Sequence, residues 1–373
     1  MPDSTHGGST APRQHLTIDD VATAAGFSVA TVSRALRGLP NVTPSTRTHI
    51  QAVADRLGYH ADPAAARLAA GRTRTVTVAV PSLNGWYFST VVAGAEAMCA
   101  QAGLDFQVVA VSTPEQRDRL LADSGRLERR TDGLVLVDIT IDDRQAESIT
   151  SRGIALATVG TAVGGHPSVR IDDVGVGRLA AEHLIGLGHE RIAVLGGHPE
   201  SPLCFDVPAF RWQGFSSAMS DAGLAVPAGP DANGGFTIDG GYEAMISILA
   251  RRELPTAVFA MSDEMAFGAL IACKEHSIVV GTDLSIIGVD DHEFSRVVEL
   301  TTISQPVADH GSHAARLLIA RIEGDQQLAV AAGVSSAPDP VGSSSICPEV
   351  HLVERSTTGR VHVGAGGENV PRT

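Results

Sequence analysis

The sequence predicts two folds in one chain: a small all-α head, followed by an α/β body of two Rossmann-like subdomains. Three observations lead there. Residues 17 to 58 hold three short segments with apolar residues at helical spacing, each preceded by a hydroxyl residue suited to capping. From residue 75 onward, apolar runs of strand length alternate with helical segments, the pattern of βαβ units around a parallel sheet. The stretch 75 to 357 is also too long for one sheet, so two similar subdomains fit better, with ligand chemistry at the carboxyl ends of their strands.

The head begins after a Gly-, Ser- and Thr-rich start, residues 1–15, whose composition predicts disorder. Thr17 caps the first helix with Asp20 three residues on as its capping-box partner, and Ile18, Val21, Ala22 and Ala25 form the apolar stripe before Gly26 ends it. Ser28 caps the second helix, in which Val32, Ala35 and Leu36 point inward and Val29, Ala30, Thr31, Ser33 and Arg34 remain outside. Gly38 and Pro40 stop it. Thr43 opens the third, where Ile50, Val53, Ala54 and Leu57 repeat at helical spacing until Gly58. The head therefore spans 16–60. Residues 61–74, alanine-rich with Pro63 near the start and Gly71 near the end, read as a marginal helical linker.

The body's strand-like runs are "VTVAV", "FQVVAV", "GLVLV", "ALATV", "RIAVLGG", "AVFAM" and "LSIIGV". Residues 325–345 read as a flexible insertion before a last strand near Val350 to Val353, and 358–373 as a disordered tail.

Composition narrows the function. With 373 residues, 43% of them hydrophobic, the chain can bury a large core. Four scattered cysteines with no CxxC pair signal neither a disulfide framework nor a zinc site. No signal peptide or apolar run of membrane-spanning length is present, so a cytoplasmic setting without membrane association is expected. The net charge of −14 alone argues against nucleic acid. Its distribution reverses that: residues 11 to 74 hold eight arginines against four carboxylates, a net +4 that leaves −18 for the rest. A basic head on an acidic body is the asymmetry of a chain that meets DNA at one end only.

The ordered set "TIDDVATAAGFSVATVSRAL", "LGY", "ARLAAGRT", "HLIGLGHERIAVLGG", "RWQGF", "MSDEMAFGAL", "LSIIGVDD" and "LTTISQP" resembles the lactose-repressor (LacI/GalR) family of bacterial transcription regulators, from about Thr17 to Thr357. The resemblance implies a helix-turn-helix head and a periplasmic-binding-protein-like body. It makes the second helix the recognition helix, a role its chemistry suits. Short side chains at Val29 and Ala30 let the backbone approach base edges, and Arg34 can pair bidentately with guanine in the major groove. Thr17, Ser28, Thr31, Ser33, Asn41 and Thr43 match family positions that hold phosphates or line the groove edge. The plain alternative is polar decoration of a structural bundle. Leu68 aligns with the hinge leucine that wedges into the minor groove at the operator centre. Departures fall at Arg37, where asparagine is common, and at Ala61, Ala66 and Arg67 of the linker.

The same resemblance implies a small-molecule pocket between the subdomains. Tyr87 and Phe88 form one wall and Phe236 stacks on a ring, while Arg211, Ser262, Asp263, Asp290 and Gln305 supply polar contacts. Aromatic faces with an Arg/Asp/Gln set suit a sugar, or alternatively a purine or nucleoside. Ser262 stands where asparagine often precedes Asp263, and Gly160 where an acid is frequent. The implied molecule is a homodimeric repressor on a near-palindromic operator, controlled by a small effector, with no cofactor and no metal. An NAD(P)-dependent enzyme is the rival, since Gly175, Gly177 and Ala180 fit GxGxxA after a strand. That match is weak. The acidic ribose partner is absent where "AVLGGH" ends the next strand, no P-loop, GxSxG or HExxH occurs, and the only lysine is Lys274.

Overall fold

The computed structural model describes residues 16–59, 73–122, 127–197, 203, 206–324 and 345–361. The chain divides between Thr73 and Arg74 into two compact units.

The head contains α1 (Ile18–Ala25), α2 (Val29–Leu36) and α3 (Pro44–Leu57). The expected caps form. The Asp20 carboxylate accepts from both the backbone N and the Oγ1 of Thr17 at 2.8 Å, which holds its pKa below the ordinary value. Ser28 Oγ accepts from Thr31 N, and Thr43 Oγ1 from Thr46 N. Gly26 and Gly58 close α1 and α3 in left-handed conformation. Val21, Val32, Ile50 and Val53, each at most 2% exposed, form the centre of the small core between the helices.

Among the described residues, the strands of the body form two six-stranded sheets. The first is built from β1 (Thr75–Val80), β2 (Asp105–Ala110), β3 (Gly133–Val137), β4 (Ala155–Val159), β5 (Ser168–Val169) and β11 (Ser345–Ile346), in the order 2-1-3-4-5-11, all parallel. The second uses β6 (Ile192–Gly196), β7 (Ala232–Asn233), β8 (Ala257–Ala260), β9 (Ser285–Asp290), β10 (Thr301–Ser304) and β12 (His351–Val353), in the order 7-6-8-9-10-12, with only β12 antiparallel. All seven expected strands form. Each sheet repeats one doubly wound order, so each has a switch point at its first strand, and ligands bind outside the carboxyl ends there.

Period-two alternation splits the first subdomain's core. Val76, Val78, Val135 and Val137 pack towards α4 (Trp86–Gln101) and α11 (Val307–Glu323), while Ala79, Leu134 and Leu136 face α5 (Pro114–Ala122) and α6 (Asp143–Thr150) on the other side. The second sheet buries α7 (Asp173–Gly186), α8 (Val207–Asp221), α9 (Ile238–Leu249) and α10 (Asp263–Glu275) around Phe215, Phe259 and Met245. Among the described residues, the chain passes between subdomains three times, after Val169, after Ser304 and after Ile346.

Three boundaries move from those expected. Arg74 belongs to the body and not to the linker: its backbone N donates to Asp132 Oδ2 at 2.8 Å and its guanidinium to Gly103 O at 3.0 Å. The tail stays packed through residue 361. Gly359 O meets His189 Nε2 at 3.0 Å, Thr358 Oγ1 meets His183 Nε2 at 3.0 Å, and Val361 N donates to Leu187 O. These bonds also satisfy two histidines that a ligand site would have left open. Ser345, taken as the end of the insertion, instead pairs with Ser168 in the first sheet. Linker residues 61–72, including Leu68, and residues 325–344 lie outside the described residues.

Candidate functional site

The carboxyl ends of both sheets converge on one cavity of about 260 Å³, at the small end of ligand pockets. Strand after strand delivers a residue to it. β1 runs into Pro81 and Ser82, β3 into Asp138, β4 into Gly160, and β5 into Arg170. From the second sheet come Gly235 and Phe236 after β7, Ser262 after β8, Asp290 at the end of β9 and Gln305 after β10. Helices add Tyr87 and Phe88 on α4, Arg211 on α8 and His310 on α11. The lining therefore alternates between subdomains, and two of the crossing segments, at Arg170 to Asp173 and at Gln305, are part of the wall.

Of the eight residues expected at this site, Tyr87, Phe88, Arg211, Phe236, Ser262, Asp290 and Gln305 line the cavity. Asp263 does not. It is fully buried in the first turn of α10, where it accepts from His292 N at 2.9 Å and from Ser295 Oγ and Thr302 Oγ1 at 2.6 Å. With three donors on one carboxylate it ties β10 and the turn after β9 to the helix, so it braces the site from behind and does not line the cavity. Ser262 spends its hydroxyl as the cap of α10, accepting from Met265 N at 3.3 Å.

Arg211 organises the polar side. Its Nε donates to Asp173 Oδ1 at 2.8 Å and one Nη to the Met261 carbonyl, which leaves the second Nη for a ligand. Arg211 and Asp173 are 4% and 7% exposed. Burial opposes the guanidinium's charge, but the carboxylates of Asp173 and Asp290 more than offset it and hold its pKa above the ordinary value. Gln305 Nε2 donates to Asp290 Oδ1 at 2.5 Å. Burial pushes Asp290 up to about 7, with Arg211 and the Gln305 bond opposing.

Asp138, Asp173, Glu264 and His310 were not anticipated, yet all line the cavity. His310 is 2% exposed, neither ring nitrogen has a hydrogen-bond partner among the described residues, and burial pulls its pKa down to about 4. It is thus neutral near pH 7 and can both donate and accept. Asp138 carries a buried Oδ1 with no partner among the described residues. The strand-end rule could have found Asp138, directly after "GLVLV". No local signal marks His310, which reaches the site only because α11 returns to the first subdomain.

Backbone strain concentrates here as well. Asp138 (φ 49°), Phe236 (φ 57°) and Asp290 (φ 124°) all have positive φ and all line the cavity. Strain of this kind persists where the surroundings over-determine it, typically at binding sites.

The GxGxxA segment does not form a phosphate loop. A Cβ on Gly177 would lie 1.9 Å from Arg211 O, so that glycine lets α7 and α8 cross closely. Gly175 N is taken by the Asp172 cap at 2.8 Å, and Asp173 occupies the helix's first turn. A pyrophosphate at this N-terminus would meet two carboxylates.

On the head, Val29, Ala30, Arg34, Asn41 and Thr43 are exposed along with Thr17 and Ser28, while Thr31 and Ser33 are half-buried. Thr31 Oγ1 is held by Ser28 Oγ at 2.9 Å, and Thr43 Oγ1 by Thr46 Oγ1 at 2.8 Å. Arg34 has no side-chain hydrogen bond among the described residues. Arg37 bends back to Ser33 O at 3.3 Å, so it lies over the end of α2.

Comparison with known proteins gives a consistent result. The model for bacterial regulatory proteins of the lacI family matches residues 17–62, and that for a periplasmic binding protein-like domain matches residues 181–358. Catabolite control protein A of Priestia megaterium is 32% identical over 309 residues, which are 82% of this chain and 92% of that protein. Among solved structures, the lac repressor dimer bound to operator and the anti-inducer ONPF superposes with a TM-score of 0.75 at 27% identity, over 93% of this chain and all of that one. A complex of the transcriptional regulator CelR with cellobiose gives 0.63 at 28% identity, over 92% of this chain and 99% of that one.

Proposed function

The chain belongs to the lacI family of bacterial regulatory proteins, and from that premise we propose that it is a cytoplasmic, sequence-specific repressor whose operator affinity is set by a small sugar-like effector. One observation carries the reading. A basic head presents α2 with an uncommitted Arg34, and the same chain holds a cavity built jointly by two subdomains.

At the DNA end, α2 enters the major groove. Val29 and Ala30 allow close approach, Arg34 reads a guanine edge, and the hydroxyls of Thr17, Ser28, Thr31, Ser33 and Thr43, with Asn41, hold phosphates and the groove edge. One head of this size buries too little surface for tight specific binding, so two act together on a near-palindromic operator. The body offers a surface for that pairing: Phe294, Val297 and Val298 stand 56%, 71% and 42% exposed around the turn after β9, an apolar patch of the sort that marks an interface. No described helix is long and apolar enough to cross a membrane.

At the ligand end, a ring stacks on Tyr87, Phe88 and Phe236 while its hydroxyls share the polar groups around Arg211, Asp290 and Gln305. The cellobiose named in the solved CelR complex supports a sugar effector, and the anti-inducer named in the lac repressor complex supports a small-molecule one. A nucleoside is the second reading, favoured by the same aromatic faces. Because both subdomains contribute walls and two crossing segments lie in them, a ligand that prefers one angle between subdomains shifts their populations. In a dimer that changes the spacing of the two first subdomains, from which the heads continue in sequence.

Selection of duplexes from a random pool by the full-length protein at physiological salt tests the DNA half. Enrichment of a two-fold-symmetric site with a flexible central step is expected. No enrichment, with or without a metabolite pool added, would reject it.

A further inference from the structure

We propose that Asp138 is the specificity-determining anchor of the cavity, and that the effector it selects is an uncharged ring bearing neighbouring hydroxyls, with phosphate esters excluded. This rests on the reading of the cavity as an effector site and names the class of effector.

Asp138 is 5% exposed, lines the cavity, and is held in a left-handed conformation directly after β3. Its Oδ1 has no hydrogen-bond partner among the described residues. A buried carboxylate oxygen without a donor is costly, and the donor it lacks is one a ligand can supply. Asp173 is engaged by Arg211, Asp290 by Gln305 and Glu264 by the Trp86 backbone, so among the described carboxylates of the cavity Asp138 carries the buried oxygen without a partner. Space has been cleared for it. A Cβ on Gly160, after β4, would fall 1.7 Å from Asp138 Oδ1; any side chain at 160 would occupy the volume the carboxylate now fills.

Hydroxyls that donate to Asp138 favour its ionised form, which accepts only and has two oxygens spaced to take two adjacent hydroxyls. His310 adds a neutral ring that can donate to one hydroxyl and accept from another. The formal charges lining the cavity are the carboxylates of Asp138, Asp173, Glu264 and Asp290 against the guanidinium groups of Arg170 and Arg211. That excess of negative charge has an effect within the cavity itself: burial, then the charge of Asp173, pushes Asp138 up to about 7, and the Tyr87 phenol is raised by burial and by Asp138, Asp173 and Asp290 together. A phosphate placed among these groups would be repelled, while a hydroxylated ring would relieve Asp138.

The test uses the full-length protein and paired probes: ribose with ribose 5-phosphate, glucose with glucose 6-phosphate, cellobiose, and adenosine with its 5′-phosphate. Binding is measured by titration calorimetry, with 6-O-methylglucose separating the size of the added group from its charge. At least one uncharged probe should bind, and its phosphate ester should bind about tenfold more weakly or worse. Asp138→Asn, which keeps the shape and tolerates the left-handed backbone, should lower affinity for the uncharged probe by about tenfold or more and narrow the gap to the ester. Circular dichroism confirms that the variant is folded. An ester that binds as tightly as its parent, or unchanged affinity in Asp138→Asn, would overturn the assignment while leaving the sugar or nucleoside reading intact. No binding by any probe would overturn that reading, and the Asp138 assignment with it.

Discussion

Replacing Arg211 with methionine is expected to destabilise the body by about 3–5 kcal/mol, the usual cost of leaving one member of a buried ion pair alone. Methionine fills much of the volume, so the loss is electrostatic more than steric. Asp173 would then face burial without its 2.8 Å partner, and the Met261 carbonyl would lose its donor. The sign of the pH dependence follows. Burial already pushes Asp173 upward with Arg211 opposing, and without the guanidinium its folded-state pKa climbs further above the unfolded value. The folded variant then takes up a proton more readily than the unfolded chain. Its deficit is complete above that raised pKa and fades as pH falls towards the ordinary carboxylate value. Asp173→Asn in the same background should recover much of the loss at neutral pH. Thermal unfolding of the three proteins at two pH values checks this, and a deficit independent of pH and of Asp173 would assign Arg211 another role. The single variant should also lose its response to effector, because the free Nη goes with it.

Arg34→Ala is expected to cost about 1–3 kcal/mol of discrimination at one base pair in each half-site, as removal of a bidentate guanine contact does. Its exposed guanidinium has no intramolecular bond among the described residues, so folding should be little affected. Thr43→Ala should behave differently. It removes the cap that accepts from Thr46 N, lowering head stability by about 1 kcal/mol, and weakens binding to all duplexes alike. Repeating the duplex selection with each variant separates them: the first relaxes one position in the enriched site, the second leaves the site unchanged. An unaltered site with Arg34→Ala would mean that α2 does not read bases.

Much of this architecture is legible in the chain because its signals are local. "GLVLV" and "LSIIGV" are short, mostly apolar runs flanked by Asp and Thr, which fit strands buried on both faces, and the caps at Ser28 and Thr43 lie where hydroxyls precede apolar periodicity. The packed end at Thr358 and Gly359 was not legible. Small polar residues without periodicity resemble a loose tail, and their value lies in satisfying His183 and His189 more than 150 positions away. The site divides in the same way. Residues at strand ends, such as Asp290 and Gln305, were accessible to sequence reading, whereas Asp263 was misplaced because adjacency to Ser262 says nothing of direction. The first turn of α10 aims Ser262 at the cavity and Asp263 at Ser295 and Thr302. Gly160 looked like the loss of an acid and is better understood as room for another: the carboxylate arrives from β3, on Asp138.

The most direct test of a DNA-reading head controlled from this cavity is titration of the selected duplex with full-length protein, followed by fluorescence anisotropy at fixed salt. It would be run with and without a saturating amount of the probe that binds. Operator affinity should change by about tenfold or more, falling for an inducer and rising for a corepressor, and in Arg211→Met it should not change at all. Equal affinity for the duplex with the cavity full and empty would contradict control of the head by the cavity.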